Sequence, residues 1–262
     1  MELFAVFALV GSLAGVLAGL LGIGGGIVLV PGILIVLSWL GVAESVAVHM
    51  AVGTSLSVIA VTGSSSAYGH WRIGAVNKNV FNAMVPGLVV GAVLGGILAD
   101  AIPGHYLRRV FGAFVIFVGF RMFVRIERKS RVREPRRYAL AASGIVIGVT
   151  SALFGVGGGV LSVPWLQYIG VKIHEAIGTS AACGVPIAVF GATTFGIMGR
   201  GADIQATHAV GYIFLPAFLA LSFFSVPFAR LGAVLAHRVP QSGLKKIFGV
   251  LLACVGGYLV VQ

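Results

Sequence analysis

The sequence predicts an all-α polytopic membrane protein built from two inverted repeats, and three observations support this prediction. Of the 262 residues, 58% are hydrophobic and only 10% are charged, whereas soluble domains carry roughly a quarter charged residues. Several stretches run for about 18 residues or more with almost no charge, the length that an α-helix needs to cross a bilayer. A glycine-rich motif occurs twice, once in each half.

The apolar stretches predict helices because a helix satisfies its own backbone hydrogen bonds in lipid, whereas a barrel would show alternating strands. The first stretch has no basic leader and no small-residue cleavage site, so it is interpreted as retained structure rather than as a signal peptide. The stretches are residues 3–20, 50–69, 80–99, the shorter 110–120, and 208–229.

Three motifs recur in the same order, which predicts an internal duplication. We expect a first repeat over residues 1–120, a basic linker over 121–138 and a second repeat over 139–262. The recurring pairs are GLLGIGGGIVLVP (19–31) with SALFGVGGGVLSVP (151–164), HMAVGTS (49–55) with HEAIGTS (174–180), and LRRVFG (107–112) with LKKIFG (244–249).

The basic residues indicate how the chain crosses the membrane. Residues 3–40 could form one bent span, or they could fold back on themselves at the glycines. Folding back at both glycine motifs places fifteen Lys and Arg residues on one side and three on the other. The positive-inside rule therefore favours the fold-back, which gives each half an odd number of crossings and makes the repeats inverted. It also predicts that the basic linker is cytoplasmic and that both termini lie outside.

The segments that follow the glycines, residues 27–40 and 160–170, have 14 and 11 residues. At about 1.5 Å per residue they are too short to span a hydrocarbon core of about 30 Å. Each half is therefore expected to contain one re-entrant or broken glycine-rich helix and about three full transmembrane helices.

The net charge of +11 is concentrated in short loops between apolar spans. The linker RMFVRIERKSRVREPRRY carries eight basic residues and two acidic ones. Contact with lipid headgroups explains this distribution, so membrane lipids rather than nucleic acid are the expected partners.

The glycine motifs are candidate anion sites. A glycine turn that opens a helix presents unpaired N–H groups and the positive end of the helix dipole. Irregular backbone persists in a bilayer only where it is buried in protein or lines a cavity. The alternative is that the glycines serve only close helix packing. The candidate glycines are Gly22, Gly24, Gly25 and Gly26 in the first half, and Gly155, Gly157, Gly158 and Gly159 in the second.

The hydroxyls of the G-T-S motifs are the second part of the candidate substrate site. Thr54, Ser55, Thr179 and Ser180 are expected near the bilayer midplane, where they could complete an anion's hydrogen bonding. Hydrogen bonding of these hydroxyls to their own helix is the alternative.

His49 and His174 precede the G-T-S motifs by one helical turn. They are candidate gating residues, with capping at the membrane interface as the simpler interpretation.

The positions of the acidic residues indicate which class of substrate the protein carries. All seven lie in or beside loops, whereas carriers of cations usually keep a carboxylate within a span. This favours an anionic substrate over a metal ion. No catalytic motif, metal-ligand spacing or cofactor motif occurs, and Cys183 and Cys254 lie far apart. The sequence therefore predicts neither an enzyme nor a cofactor or metal protein.

The paired G-G-G-x-x-x-V-P segments, each followed by G-T-S, resemble the sulfite exporter TauE/SafE family over essentially the full chain. The resemblance implies a bacterial or archaeal cytoplasmic-membrane carrier for sulfite, an organosulfonate or a related small organic acid. It places the family's glycine segments on Gly22 to Gly26 and Gly155 to Gly159, and its G-T-S segments on residues 53–55 and 178–180.

The sequence thus predicts a secondary transporter of a small, sulfur-containing anion that works by alternating access. An anion channel with the same glycine-lined site is the alternative. The sequence leaves open whether the protein forms a homo-oligomer.

Overall fold

The computed structural model describes residues 2–21, 25–123, 136–201, 208–235 and 241–261. Most of these residues are helical. A hairpin of two short strands, β1 (Ala209–Val210) and β2 (Ile213–Phe214), lies in the second half. The helices are α1 (Glu2–Leu21), α2 (Gly26–Trp39), α3 (Glu44–Arg72), α4 (Lys78–Ala101), α5 (Gly104–Phe123), α6 (Arg137–Leu153), α7 (Gly159–Tyr168), α8 (Ile173–Met198), α9 (Leu215–Leu235) and α10 (Gln241–Val261).

The lengths and surface of the helices confirm the predicted helical membrane-protein class. Within the described residues, three helices are long and apolar enough to cross a membrane: Glu44–Arg72, Lys78–Ala101 and Ile173–Gly201. Large apolar side chains stand on the outside of the bundle, and Phe223 is 73% exposed. An apolar outer surface of this kind is expected of a protein that is surrounded by lipid.

The packing partners repeat when α1–α5 are exchanged for α6–α10. Helix α1 packs along α9, and α6, its counterpart, packs along α4. Helix α2 lies on α3, as α7 lies on α8. The pairs α3 with α8 and α5 with α10 map onto themselves under this exchange.

Glycines hold the α1–α9 and α4–α6 pairs at short backbone distances. A Cβ on Gly15 would lie 2.5 Å from the carbonyl oxygen of Ser225, and a Cβ on Gly148 would lie 2.6 Å from that of Leu88. Gly148 follows Gly15 by 133 positions, and Ser225 follows Leu88 by 137. These are also the offsets between recurring sequence motifs, so matching positions in the two halves interlock.

Helices α1 and α2 lie side by side and run in opposite directions. A Cβ on Gly25 would lie 3.0 Å from the carbonyl oxygen of Ala14, and a Cβ on Gly32 would lie 2.5 Å from Val10 Cγ1. Residues further along α2 therefore contact residues further back in α1. This is the fold-back that the basic residues favoured, rather than one bent span.

The stretch 208–229 is not one helix, although its composition predicted one. The hairpin occupies its first part, with Gly211 at φ 53° in the turn, and α9 begins only at Leu215. Pro216 follows in the first helical turn, where its missing N–H is not needed. Hydropathy could not reveal the hairpin because its strands are as apolar as the helix.

The predicted basic linker is described only at its ends. Helix α5 extends to Phe123 and α6 begins at Arg137, so both ends of residues 121–138 are helical. Residues 124–135 lie outside the described part of the chain.

Candidate functional site

The two glycine motifs form equivalent helix starts. Gly25 precedes α2 with φ 71°, and Gly158 precedes α7 with φ 61°. The Gly25 carbonyl accepts hydrogen bonds from the amides of Val28 and Leu29, as the Gly158 carbonyl does from those of Leu161 and Ser162. Only glycine takes this left-handed conformation at little cost, so both positions are fixed by backbone geometry.

The two turns touch each other inside the protein. A Cβ on Gly26 would overlap the carbonyl oxygen of Gly155, and a Cβ on Gly155 would lie 3.1 Å from Val52 Cα. Gly157 approaches Gly184 of α8, where a Cβ would lie 3.0 Å from the Gly157 carbonyl oxygen. The residues of both turns that the structure describes are buried. The structure therefore brings together six of the predicted glycines: Gly25, Gly26, Gly155, Gly157, Gly158 and Gly159.

Gly22 and Gly24 complete the predicted glycine set, but they lie outside the described residues. Gly22 corresponds in the repeat to Gly155, since 133 positions separate them.

The four G-T-S hydroxyls are fully buried. Thr54 Oγ1 accepts a hydrogen bond from the Phe214 amide at 2.9 Å, and Thr179 Oγ1 accepts one from the Asn77 amide at 2.9 Å. Ser55 Oγ donates to the Gly155 carbonyl at 2.9 Å. Each of these three bonds links parts of the chain that are far apart in sequence.

Ser180 differs from Ser55, its counterpart in the repeat. Its hydroxyl is buried, and no residue in the described part of the chain forms a hydrogen bond with it. Ser180 lies one helical turn before Gly184 on the same face of α8, and Gly184 contacts Gly157. The hydroxyl is thus buried with its hydrogen-bonding capacity unused, one helical turn along α8 from the residue that contacts the second glycine turn.

None of the four G-T-S hydroxyls bonds back to its own helix. Many others do: Ser57, Thr62, Ser64, Thr150, Ser162, Thr193 and Thr194 each donate to the carbonyl four residues earlier. The sequence left this point open. In the structure, three of the G-T-S hydroxyls bond to distant parts of the chain instead of to their own helices.

Thr54 and Thr179 do not lie at the same level along the axis of α8. A Cβ on Gly53 would lie 3.0 Å from Phe195 Cβ, so the first G-T-S motif is level with the end of α8. Gly178 is 17 residues earlier in that helix, which corresponds to about 26 Å. The two motifs therefore flank the glycine turns instead of meeting beside them.

The elements that cover the two threonines had no signal in the sequence. A Cβ on Gly53 would lie 2.7 Å from the Tyr212 carbonyl oxygen, and a Cβ on Gly178 would lie 2.5 Å from that of Ala75. Ala75 and Tyr212 are 137 positions apart and occupy equivalent places, yet their side chains are unrelated. Backbone atoms make these contacts, so residue identity did not predict them.

The N-termini of α2 and α7 give the turns their electrostatic character. Both helices begin within a few residues of the contact between Gly26 and Gly155, and a helix N-terminus carries roughly +0.5 of an elementary charge. Two amides of the second turn are used locally, because Gly158 N–H donates to Val156 and Gly159 N–H to Gly157. In the described part of the chain, no three His, Cys, Asp or Glu residues are grouped as metal ligands.

The two predicted gating histidines have different surroundings. His49 is buried, and both of its ring nitrogens lie within hydrogen-bond distance of backbone carbonyl oxygens. His174 is exposed. The two histidines occupy matching positions in the repeat, but they differ in burial and in hydrogen bonding.

Ser55→Ala is expected to destabilise the protein by about 1–3 kcal/mol, because it removes a buried donor to the Gly155 carbonyl. Thermal unfolding of the purified protein in detergent measures the change. The matched control is Ser57→Ala two residues further along, whose hydroxyl bonds only to Gly53 in its own helix. If both variants unfold at the wild-type temperature, the Ser55 bond contributes nothing to stability.

The long apolar helices and the contacts that recur between the halves define an integral membrane protein with the internal repetition typical of transporters. The chain belongs to the sulfite exporter TauE/SafE family, whose model matches residues 7–259, and it is accordingly a membrane transporter.

Its relatives carry similarly general names. A "Probable membrane transporter protein" of Haemophilus influenzae is 34% identical over 94% of each chain. The "Probable membrane transporter protein YdhB" of Bacillus subtilis is 31% identical over 95% of this chain and 96% of that one. A relative from Methanocaldococcus jannaschii with the same general description is 25% identical over 99% of this chain and 96% of its own. No solved structure matches.

Proposed function

We propose that the protein is a secondary transporter that moves a small sulfur-containing anion, sulfite or an organosulfonate, across the bacterial or archaeal cytoplasmic membrane by alternating access. The anion binds beside the glycine turns, between the N-termini of α2 and α7 and the hydroxyl of Ser180. The family name supports the substrate class, and the turns supply the positive electrostatic potential.

The single observation that carries this proposal is the unused hydroxyl of Ser180. Buried polar groups are almost always hydrogen-bonded, and an orphan in a native protein needs an explanation. A bound oxyanion would accept the hydroxyl's proton in a hydrogen bond. Ser55, the repeat counterpart, already donates to a protein carbonyl, so the two halves differ at the position where a substrate would complete the bonding.

The exchange of contacts between the halves supports alternating access by inverted repeats. The same helix pairs recur when the two halves are exchanged. If the halves also exchange conformations, the protein has two states, which open the site to each face in turn. The described glycines and hydroxyls of the site are buried, so part of the protein must move before an anion can reach them. This favours a carrier over a channel, whose path stays open.

The proposed orientation follows from the charges. The residues around 72–78, the basic linker and the start of α8 face the cytoplasm, while the termini and the hairpin lie outside.

Ser180→Ala is expected to leave stability unchanged or to raise it by up to about 1 kcal/mol, because it removes a buried hydroxyl without a protein partner. The same change should reduce anion binding at least about tenfold, the effect of losing one hydrogen bond to a charged ligand.

The experiment compares wild type, Ser180→Ala and Ser57→Ala by thermal shift with sulfite, thiosulfate, sulfoacetate and succinate. One sulfur anion should raise the melting temperature of wild type and Ser57→Ala, and it should fail to raise that of Ser180→Ala. A response by Ser180→Ala equal to that of wild type contradicts the site. A response to succinate alone contradicts the substrate class.

Counterflow in proteoliposomes then tests the mechanism. A carrier loaded with unlabelled anion on one side accelerates uptake of labelled anion from the other. Unitary conductance in planar bilayers without counterflow would overturn alternating access in favour of an anion channel.

A further inference from the structure

Three polar side chains fasten the β1–β2 hairpin to the start of α3. The ring of Tyr212, in the hairpin turn, stacks on the ring of His49 with centroids 5.1 Å apart. The Tyr212 hydroxyl donates to Asp100 Oδ1, at the end of α4, over 2.8 Å. We call His49, Asp100 and Tyr212 the His49 cluster.

The imidazole of His49 faces carbonyl oxygens on both sides. Its Nδ1 lies 3.0 Å from the Ser45 oxygen, and its Nε2 lies 2.9 Å from the Ala99 oxygen and 3.2 Å from the Ile102 oxygen. A neutral imidazole has one N–H, so its other nitrogen would direct a lone pair at an oxygen. The imidazolium donates at both nitrogens. Because the side chain is only 4% exposed, water cannot relieve the mismatch of the neutral form.

The charges around the cluster suit a cation at His49. Ala99 and Ile102 end α4, where the helix dipole is negative, and Asp100 supplies a carboxylate. Burial and the hydrogen bond from its hydroxyl to Asp100 raise the pKa of Tyr212 to about 12, so the phenol keeps its proton and remains a donor. The charged groups on α3 and α5 nearby, Glu44 and Arg108, form an ion pair.

Two exposed groups lie on the outer side of the cluster. Arg200 follows Gly199, where a Cβ would lie 2.8 Å from Tyr212 Cγ, and His208 begins the hairpin segment. The other neighbouring elements are uncharged near the cluster. Helix α8 presents Phe195, whose ring centroid lies 6.2 Å from that of Tyr212. Helix α2 contains no charged residue. On α9, the first turns are uncharged as well.

The opposite face of the protein lacks this fastening. At the equivalent positions His174 is exposed and Ala75 replaces Tyr212. The counterpart of Asp100 is His237, which lies outside the described residues. The repeat thus has two covering segments, and only the hairpin side carries the stacked histidine and tyrosine.

The hairpin covers the first G-T-S motif. The Phe214 amide donates to Thr54 Oγ1 at 2.9 Å, and the Tyr212 amide donates to the Phe195 carbonyl at 3.2 Å. Ser55, the next residue, holds the second glycine turn. The hairpin therefore lies over the residue that precedes the Ser55 contact with the second glycine turn.

We propose that His49 is a proton-binding site, and that the proton it holds fastens the hairpin over Gly53 and Thr54. Loss of that proton leaves a lone pair facing a carbonyl oxygen, which loosens His49, then Tyr212, then the hairpin. In transport, which rests on the proposed carrier function, the proton is the ion that controls the gate on this face. The closed gate is the protonated one, so closure is favoured when His49 holds its proton and weakens when the proton is lost.

Hydrogen exchange of the 208–214 amides in purified full-length protein tests the site without any substrate. After correction for intrinsic exchange, wild type should protect these amides at least about tenfold better at about pH 5.5 than at about pH 7.5. His49→Gln should show the same low protection at both pH values, because glutamine cannot donate at two opposed positions. The control His105→Gln, an exposed histidine of α5, should behave as wild type.

Tyr212→Phe provides a second variant in case His49→Gln does not fold. It keeps the ring but loses the bond to Asp100, so it should lower protection at both pH values while retaining the pH dependence. Protection in wild type that is independent of pH, or pH dependence that survives in His49→Gln, overturns the proposal. Protection that follows His49 while no anion is transported retains the proton site and rejects the carrier function instead.

Discussion

Gly87→Val is expected to leave no folded protein in the membrane. Gly87 lies where α4 crosses α6, and a Cβ at this position would overlap the carbonyl oxygen of Ala141 and lie 3.0 Å from the Ile145 amide nitrogen. Both neighbours are backbone atoms of a regular helix, so neither can rotate away. Overpacking typically costs about 1–3 kcal/mol where side chains can yield. Here two helices must separate, so a larger loss is expected, out of a total stability of about 5–15 kcal/mol.

The measurement is the yield of monodisperse protein in size-exclusion chromatography after membrane extraction. Gly69→Val is the matched control, because it places the same side chain inside α3 where no heavy atom lies within 4 Å. The control should be recovered at the wild-type level. Recovery of stable Gly87→Val would show that the α4–α6 contact is not needed for folding.

The sequence was sufficient to predict this helical architecture because the period and length of apolar segments are properties of the chain itself. The duplication could also be predicted, since three motifs recur in order. The close helix pairs could not. Gly15 and Gly148 contact backbone carbonyls of distant helices, and nothing about a glycine identifies its partner.

The candidate site could be predicted in part, because its glycine turns are written in the sequence as a recurring motif. The glycine turns were expected from G-x-G-G-G, and the described glycines of both turns do come together. The sequence could not predict the relative depth of the two G-T-S motifs, because that depth depends on how α3 packs on α8. Phe195 lies level with Gly53, which separates the two motifs along α8. The difference between Ser55 and Ser180 was also invisible, since the residues are identical and only their surroundings differ.

Gly158→Val is expected to abolish transport while the protein still inserts and folds. At φ 61° a β-branched residue is strained by roughly 1–3 kcal/mol. A Cβ would also lie 2.9 Å from Ile187 Cδ1, but this atom is the tip of a flexible side chain and can move. Relief of the strain comes from turning the peptides around residue 158, which redirects the amides at the start of α7. Those amides supply the electrostatic field that the proposed anion site requires.

Gly41→Val separates this effect from strain alone. Gly41 has φ 73° and no heavy atom within 4 Å of a Cβ, so the same substitution imposes a similar backbone cost away from the turns. Both variants should lose a similar amount of thermal stability, and only Gly158→Val should fail in counterflow. Equal transport by the two variants would mean that the second glycine turn serves packing. Transport lost in Gly158→Val alone would locate the substrate at the N-terminus of α7, because Gly41 follows the C-terminal end of α2 and lies away from the glycine turns.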